Sequence, residues 1–442
     1  MIAIIGAGIT GLVTAAYLKR SGIPFRLFDS REVAGGNIRT LQIEKYKLEL
    51  GPNSLVLNDE LYDFLQEWRL GDSIVQASEQ AKYRFVLKQG KYKRLPTGPL
   101  DLLTSSTFSL KAKRALLKER KLGPLHEEGD TIDQFFRKRI GDEWTDYVVQ
   151  PFISGVFAGD TRELLMEDAF PRILQLEQEH GSLLRGMMAN RKKNTHRGTV
   201  SLLAGMQNLT DELSQYIKNE LQLSHPLLAI RPKSKGGYTL QFKQGEVEAE
   251  KILLTLPAYQ IAKLLESTHT NVSNQLKAIE YSPVSMVFTA YKRHQVQHKL
   301  NGFGVLHNHK EESFTLGSIF NSSVFPDRCP EDEVLLTTFV GGALYPSRAK
   351  MEEVKLKGNV HWELQKYLTV RGNPVFQHIQ RWPKGIPQYK LGARAARNSV
   401  IPLRKKGLYL GGNWTGGISV PDSIQSGRNF ARELGADMYE AE

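Results

Sequence analysis

The chain is nearly without cysteine. Cys329 is the one thiol in 442 residues, which excludes an intramolecular disulfide, a CxxC redox pair and a cysteine-built zinc site. Such thiol poverty fits a reducing compartment. No uninterrupted apolar run reaches the ~18 residues of a membrane-spanning helix, so the chain is expected not to cross a bilayer. Met1 leads straight into Ile2-Ala3-Ile4-Ile5, with neither the basic n-region nor the cleavage site of a leader. A cytoplasmic protein is expected. Acidic residues are also short, 47 against 59 basic, for a net charge of +12. That excess favours anionic partners: a phosphate cofactor, a carboxylate substrate, acidic lipid or nucleic acid. No nucleic-acid-binding module accompanies the charge, so nucleic acid is not expected. The histidines are scattered, and His307 with His309 alone do not make a metal site. What remains is ordinary: 40% hydrophobic and 24% charged residues, enough for two or three globular domains.

The first fifty residues carry the most information. Ile2 to Ile5 is a short, β-branched apolar run that reads as a buried parallel strand. GAGITG follows, with Gly6, Gly8 and Gly11, and Ile9 and Thr10 between them. An apolar helix face continues through Leu18. Gly22 ends the helix, and Pro24 to Phe28 reads as a second strand closed by Asp29 and Ser30. Glycines in this order permit a tight turn and close approach of backbone to a pyrophosphate. The helix N-terminus adds free N–H groups and a partial positive charge. Asp29 stands 18 residues after Gly11, where a carboxylate can accept from a ribose hydroxyl. The bland alternative is a glycine turn that only packs a helix on a sheet.

Ala34-Gly35-Gly36-Asn37-Ile38-Arg39-Thr40 supplies a second glycine pair and an arginine directly after the acidic strand end. Residues 1–54 thereby resemble the glutathione-reductase-like FAD fold, in the branch that holds amine oxidases, phytoene desaturases and protoporphyrinogen oxidases. Further segments narrow the resemblance. Leu48-Glu49-Leu50-Gly51-Pro52-Asn53-Ser54 is similar to the E-x-G-P signature of the protoporphyrinogen oxidase family. Pro151 to Asp160, Ala169-Phe170-Pro171 and Leu176-Glu177-Gln178 resemble its central motif. Gly302 to Leu306 and Thr337 to Gly342 resemble its substrate region. Leu410 to Asp422, with Gly412, Asn413, Ile418, Ser419 and Val420, resembles its last flavin-contacting loop. That loop also reads from its residues: a short strand at Gly407 to Leu410, glycines that let backbone approach a ligand, a helix start at Val420-Pro421-Asp422-Ser423, and a helix from Ser423 to Leu434.

The resemblance implies an α/β fold of amine oxidase-like architecture. Its discontinuous Rossmann FAD-binding domain would be built from 1–80, 198–266 and 380–442. A mixed-sheet substrate domain would span 267–379, and a helical insert 81–197. Within the middle FAD segment, Lys251 to Leu256 reads as a buried strand stopped by Pro257. Gly236-Gly237 and Gly245 punctuate a β-meander before it. From Lys82 to Lys121 run twelve basic residues against two acids, Asp101 and Glu119. Leu100, Leu102, Leu103, Phe108 and Leu110 lie among them. Apolar residues flanked by Lys and Arg suit an acidic lipid surface, and the family includes members that bind membranes through this insert. A peripheral place on the cytoplasmic membrane is therefore expected. The alternative is a solvated basic face, or one that draws an anionic substrate.

The resemblance further implies non-covalent FAD, since the C-terminal loop has no cysteine to hold flavin as amine oxidases often do. The implied reaction removes six electrons from protoporphyrinogen IX, two per flavin cycle, and passes them to dioxygen to give hydrogen peroxide. No acid–base or nucleophilic catalytic residue is assigned, because the flavin carries the chemistry. Arg84 matches a propionate-binding arginine, and Gly155 a place where backbone approaches the macrocycle. Leu306, Ile319 and Phe339 match apolar residues that sandwich its rings, although strand residues of this kind are also ordinary core. Ser154 departs from an arginine found in some members. Trp382 is implied as a flavin neighbour. Coproporphyrinogen III, with four propionates instead of two, is the alternative substrate, and the Lys-rich stretch 88–94 could serve the extra carboxylates. A carotenoid desaturase, an amine oxidase or a flavin-free GDP-dissociation inhibitor of the same fold fits less well. A homodimer and a downstream ferrochelatase are partners the family implies.

Overall fold

The computed structural model describes residues 1–191 and 195–436. Among the described residues, the Ile2–Ile5 run sits at the centre of a five-stranded sheet, between Phe25–Phe28 and Lys251–Leu254. Leu221–Gln222 and Leu408–Leu410 are the outer strands, and every pairing is parallel. All four residues of the central strand are buried, as expected of a strand covered on both faces. One face carries helices Ile9–Arg20, Asp59–Glu67, Asn208–Tyr216 and Val420–Glu433. The other carries helices Ala258–Leu265 and Leu391–Val400, together with an antiparallel meander. The meander is Leu227–Pro232, Tyr238–Phe242 and Gly245–Ala249, as the glycine punctuation predicts.

A second, seven-stranded mixed sheet stands beside the first. Its order is Phe376–Pro387, Tyr281–Lys292, Glu333–Gly341, Gly317–Ile319, Gly304–Leu306, Arg84–Lys88, Lys91–Arg94. Helix Glu353–Leu368 covers one face through Leu356, Val360, Leu364 and Leu368. The hairpin Thr40–Ile43 and Tyr46–Glu49 covers part of the other, against Met286, Phe288 and Leu335.

This sheet crosses the divisions drawn from sequence. The Arg84–Lys88 and Lys91–Arg94 hairpin falls within 81–197, yet it joins the sheet by parallel pairing with Gly304–Leu306. The line at 379/380 falls inside the single strand Phe376–Pro387. Helices dominate only from Pro99 onward. The last helix begins at Val420, the first residue of the expected helix start. Ser419 caps it reciprocally with Asp422, and Pro421 stands in the first turn, where a missing N–H costs nothing.

Candidate functional site

The glycine turn has two kinds of glycine. A Cβ at Gly11 would stand 2.0 Å from the Gly6 carbonyl oxygen, and Gly6 holds φ +113°. These two let the chain leave the strand and enter the helix. Gly8 differs: it has φ −75°, and a Cβ there would meet nothing within 4 Å. The open side of the turn is therefore at Gly8, beside the first-turn N–H groups that no intrahelical acceptor satisfies. Asp29 fastens the turn, accepting from the Ala7 N–H at 2.7 Å and the Arg31 N–H at 2.8 Å.

From this cradle a line of backbone runs toward the second sheet. Gly35 bridges Gly8, and a Cβ at Gly36 would stand 3.1 Å from the Gly8 Cα. A Cβ at Gly51 would lie 1.9 Å from the Asn37 carbonyl oxygen, so Asn37 and Gly51 are pressed together. The Leu50 N–H donates to the Arg39 carbonyl, and the Trp382 indole N–H donates to the Leu50 carbonyl at 2.7 Å. Asn53 accepts from the Asn321 amide at 3.2 Å. Residues 6–11, 35–39, 51–53 and 382 thus form one continuous track. Pro52 and Ser54 lie on it half-buried, and Ser30, Asn37 and Arg39 are exposed along it.

Glu49 anchors the track. It is buried and paired with buried Arg328 at 3.0 Å, and it accepts from Thr40 and from the Met206 N–H. Burial pushes its carboxyl upward against those partners. Sequence reading took Glu49 only as part of a signature and gave no sign of Arg328.

The C-terminal loop closes the other side. Helix Val420–Glu433 crosses the first helix so closely that a Cβ at Gly427 would meet the Thr10 carbonyl at 2.8 Å. The Thr10 hydroxyl donates to the Ser423 carbonyl at 3.2 Å. Gly412 has φ +137°, near the Leu256 carbonyl at the end of a central strand. The Ser419 hydroxyl is spent on its own cap with Asp422. With Pro421 lacking an N–H, this helix offers a ligand mainly the Val420 N–H. Its N-terminus is a weaker anion site than the first helix's.

The residues matched to a substrate pocket share one face of the second sheet. Arg84, Gly304, Ile319 and Thr337 are in register across four strands, and Val86, Leu306, Gly317 and Phe339 form the parallel row two residues on. Leu306, Ile319 and Phe339 are each the partly open residue of an otherwise buried strand. Opposite stands helix Gln150–Val156, and a Cβ at Gly155 would touch Leu306 Cδ2 at 2.9 Å. Phe152 and Val156 share the Gly155 side of that helix and are 44% and 43% exposed, while Ile153 and Ser154 are buried behind it. Sequence reading missed Phe152 and Val156. Their i, i+4 spacing around Gly155 was the available signal.

Arg84 begins the strand next to the edge of the sheet, with its guanidinium over the Phe303 ring, 5.2 Å from the centroid. Partial desolvation lowers its pKa, and among the described residues no carboxylate pairs with it. Its neighbours are committed elsewhere. Arg94 pairs with Asp101 at 2.8 Å, and Lys88 is held by Glu143 and the Thr107 carbonyl. Lys113 is also internal, donating to the Leu103 carbonyl. The basic run is thus in part structural. Ser154 is buried and bonded to Gln150 and Gly159, so it offers the pocket no second polar contact. No helix among the described residues is long and apolar enough to cross a membrane, and no group of three or more His, Cys, Asp or Glu could hold a metal.

Comparison with known proteins agrees with this geometry. The family profile described as flavin containing amine oxidoreductase matches residues 9–435. The mitochondrial protoporphyrinogen oxidase of Nicotiana tabacum is 30% identical over 471 residues, spanning 97% of this chain and 94% of that protein. The coproporphyrinogen III oxidase of Bacillus subtilis is 25% identical over 457 residues, spanning 97% and 96%. A crystal structure from Exiguobacterium sp. 255-15, provisionally called a protoporphyrinogen oxidase, superposes with a TM-score of 0.83 at 25% identity over 98% of each chain.

Proposed function

Because this chain belongs to the flavin containing amine oxidoreductase family, we propose that it binds FAD non-covalently and oxidises protoporphyrinogen IX to protoporphyrin IX. The observation that carries the substrate reading is the partly open apolar face of Leu306, Ile319 and Phe339 opposite Gly155, with the Arg84 guanidinium at its edge over the Phe303 ring. A flat apolar macrocycle with a carboxylate-bearing rim is complementary to that surface. Bound flavin supplies two-electron acceptance, three times per macrocycle, and dioxygen takes the electrons as hydrogen peroxide. The chain supplies the rest. Arg84 pairs with a propionate through two N–H groups. The apolar strands exclude water and hold the reacting carbon toward the track from Gly51 to Trp382. Gly155 leaves room where any side chain would press on Leu306.

Lys88 and Arg94 are taken up by Glu143 and Asp101, while Lys93, in register with Val86, is placed to serve a further carboxylate, so coproporphyrinogen III with four propionates is the second reading. The test is an absorbance spectrum of the purified protein, followed by anaerobic addition of each porphyrinogen. Flavin bands that bleach faster with protoporphyrinogen are expected. Faster bleaching with coproporphyrinogen replaces the substrate, and an absence of bound flavin overturns the reading.

The same reading extends to a lipid surface. Leu110, Arg114, Leu117, Lys118 and Lys121 share one exposed face of helix Leu110–Glu119 and its end, beside exposed Leu100 and Leu103. Leucines interleaved with cations favour peripheral attachment to an acidic membrane. Sedimentation with anionic vesicles, and not with neutral ones, is expected, and equal partitioning refutes it.

A further inference from the structure

The loop that follows the last strand of the parallel sheet has glycine at 411, 412, 416 and 417. Gly412 and Gly417 hold φ of +137° and +122°. A loop so rich in glycine loses much conformational entropy when ordered, so something must define its shape. That partner lies outside the loop, at the end of the seven-stranded sheet. Tyr389 is 1% exposed. Its hydroxyl donates to the Asn413 carbonyl at 2.7 Å and accepts from the Gly417 N–H at 2.9 Å. One oxygen therefore ties the two ends of the loop together.

Tyr389 and its neighbour Gln388 also hold the helix that faces the substrate sheet. The Gln388 amide donates to the Phe157 carbonyl at 2.9 Å, just past the end of helix Gln150–Val156. The Leu165 N–H donates to the Tyr389 carbonyl at 2.9 Å. The Tyr389 ring meets the Phe157 ring edge-on, and both belong to one apolar cluster with Ile153, against which Ile418 of the loop packs. The Arg397 guanidinium lies over the other part of the ring, 5.0 Å from its centroid. Burial raises the hydroxyl's pKa far above neutrality, so it keeps its proton and its donor role.

We propose that Tyr389 is a positioning residue: its hydroxyl pre-forms the flavin-contacting loop from Gly412 to Gly417 and registers it against the helix that carries Gly155. The proposal rests on the flavin reading of this loop and is independent of which porphyrinogen is the substrate. Tyr389→Phe removes both hydrogen bonds and keeps the ring, its cluster and its cation contact. Flavin release from the holoprotein, followed by fluorescence after dilution, is expected to accelerate ten- to hundredfold. The visible circular dichroism of the flavin bands should change shape, a signature that general loss of stability does not produce. Release within threefold of the parent, with an unchanged spectrum, overturns the proposal. A second measurement needs no variant. The Gly417 amide has Tyr389 as its acceptor, so its hydrogen exchange in the parent reports the bond directly. Strong protection is expected, and exchange at the rate of an open loop overturns the proposal whatever the variant does. Bleaching by the other porphyrinogen in the functional test leaves both readouts untouched.

Discussion

Gly8→Ala and Gly11→Ala should fail in opposite ways, although both glycines belong to the same six-residue motif. At Gly11 the added Cβ stands 2.0 Å from the Gly6 carbonyl oxygen and 2.8 Å from Thr255 Oγ1. A carbon needs about 3.3 Å from such an oxygen, so the turn must open by about 1.3 Å against a fully buried strand. Overpacking of this kind costs about 1–3 kcal/mol and occasionally more. The obstacle is backbone, so the upper part of that range applies. Total stability of a domain is only about 5–15 kcal/mol, so Gly11→Ala should shift unfolding markedly even without a ligand. At Gly8 the added Cβ meets no protein atom within 4 Å, and φ is −75°. The fold loses only the difference between Gly and Ala as a helix cap, about 1 kcal/mol or less.

On the FAD reading proposed above, a pyrophosphate approaches backbone on the open side of Gly8, so its methyl group costs the ligand instead. A methyl group in a close contact costs about 1–3 kcal/mol, which is about 5- to 150-fold in Kd. Urea unfolding of the apoprotein and flavin titration by fluorescence quenching separate the two effects. Gly8→Ala should unfold near the parent and bind flavin about 5- to 150-fold more weakly. Gly11→Ala should unfold early. If Gly8→Ala binds flavin within threefold of the parent, the open side of the turn does not face the cofactor. If Gly11→Ala is as stable as the parent, the turn is not held as tightly as its geometry requires.

Arg84→Ala should raise the porphyrinogen KM at least tenfold with kcat moved less and the flavin spectrum unchanged, while Arg84→Lys restores part of the loss because it cannot bind a carboxylate in the same two-pronged way; unchanged substrate kinetics remove Arg84 from the site. Gly155→Ala should also raise KM. Adding Leu306→Ala should recover part of that loss, because Leu306 Cδ2 is the neighbour the new Cβ would meet; strict additivity of the two in kinetics refutes the contact. Glu363 gives a pH prediction. Burial raises its carboxyl, but His307, Thr315 and the Phe314 N–H outweigh this and hold it below the usual 4.5. Its stabilisation is therefore present above pH 4.5 and lost as pH falls through the lower folded value, so Glu363→Gln should flatten the acid limb of the stability curve; identical acid limbs refute the assignment.

Sequence showed the elements whose cause is local. The Ile2–Ile5 strand, the glycine turn and the meander before Lys251 each depend on residue type and spacing within a few positions. The last helix was local too: a start at Val420-Pro421-Asp422-Ser423 was legible, and the Ser419–Asp422 cap sets its first residue at Val420. The sheet membership of Arg84–Lys88 was not legible in the same way. A strand of five residues pairs with Gly304–Leu306 in a distant part of the chain, and nothing in its own pattern names that partner. The line at 379/380 falls inside one twelve-residue strand for a related reason, since the strand's partner lies far away in the chain.

The charge-rich stretch carries the same lesson into the site. Along the sequence Arg84, Lys88, Arg94 and Lys113 are equivalent members of one basic run. In the fold they separate by the partners that distant residues bring. Glu143 arrives 55 positions later to hold Lys88, Asp101 takes Arg94, and Lys113 turns inward to the Leu103 carbonyl. Arg84 alone of these four has an aromatic ring beneath it and no acid beside it. Arg84 is exposed, so water solvates it in the free protein and its guanidinium keeps its donors for a two-pronged partner. Arg84 therefore differs from its neighbours by what the fold withholds from it, and a substrate carboxylate is the chemistry that would complete it.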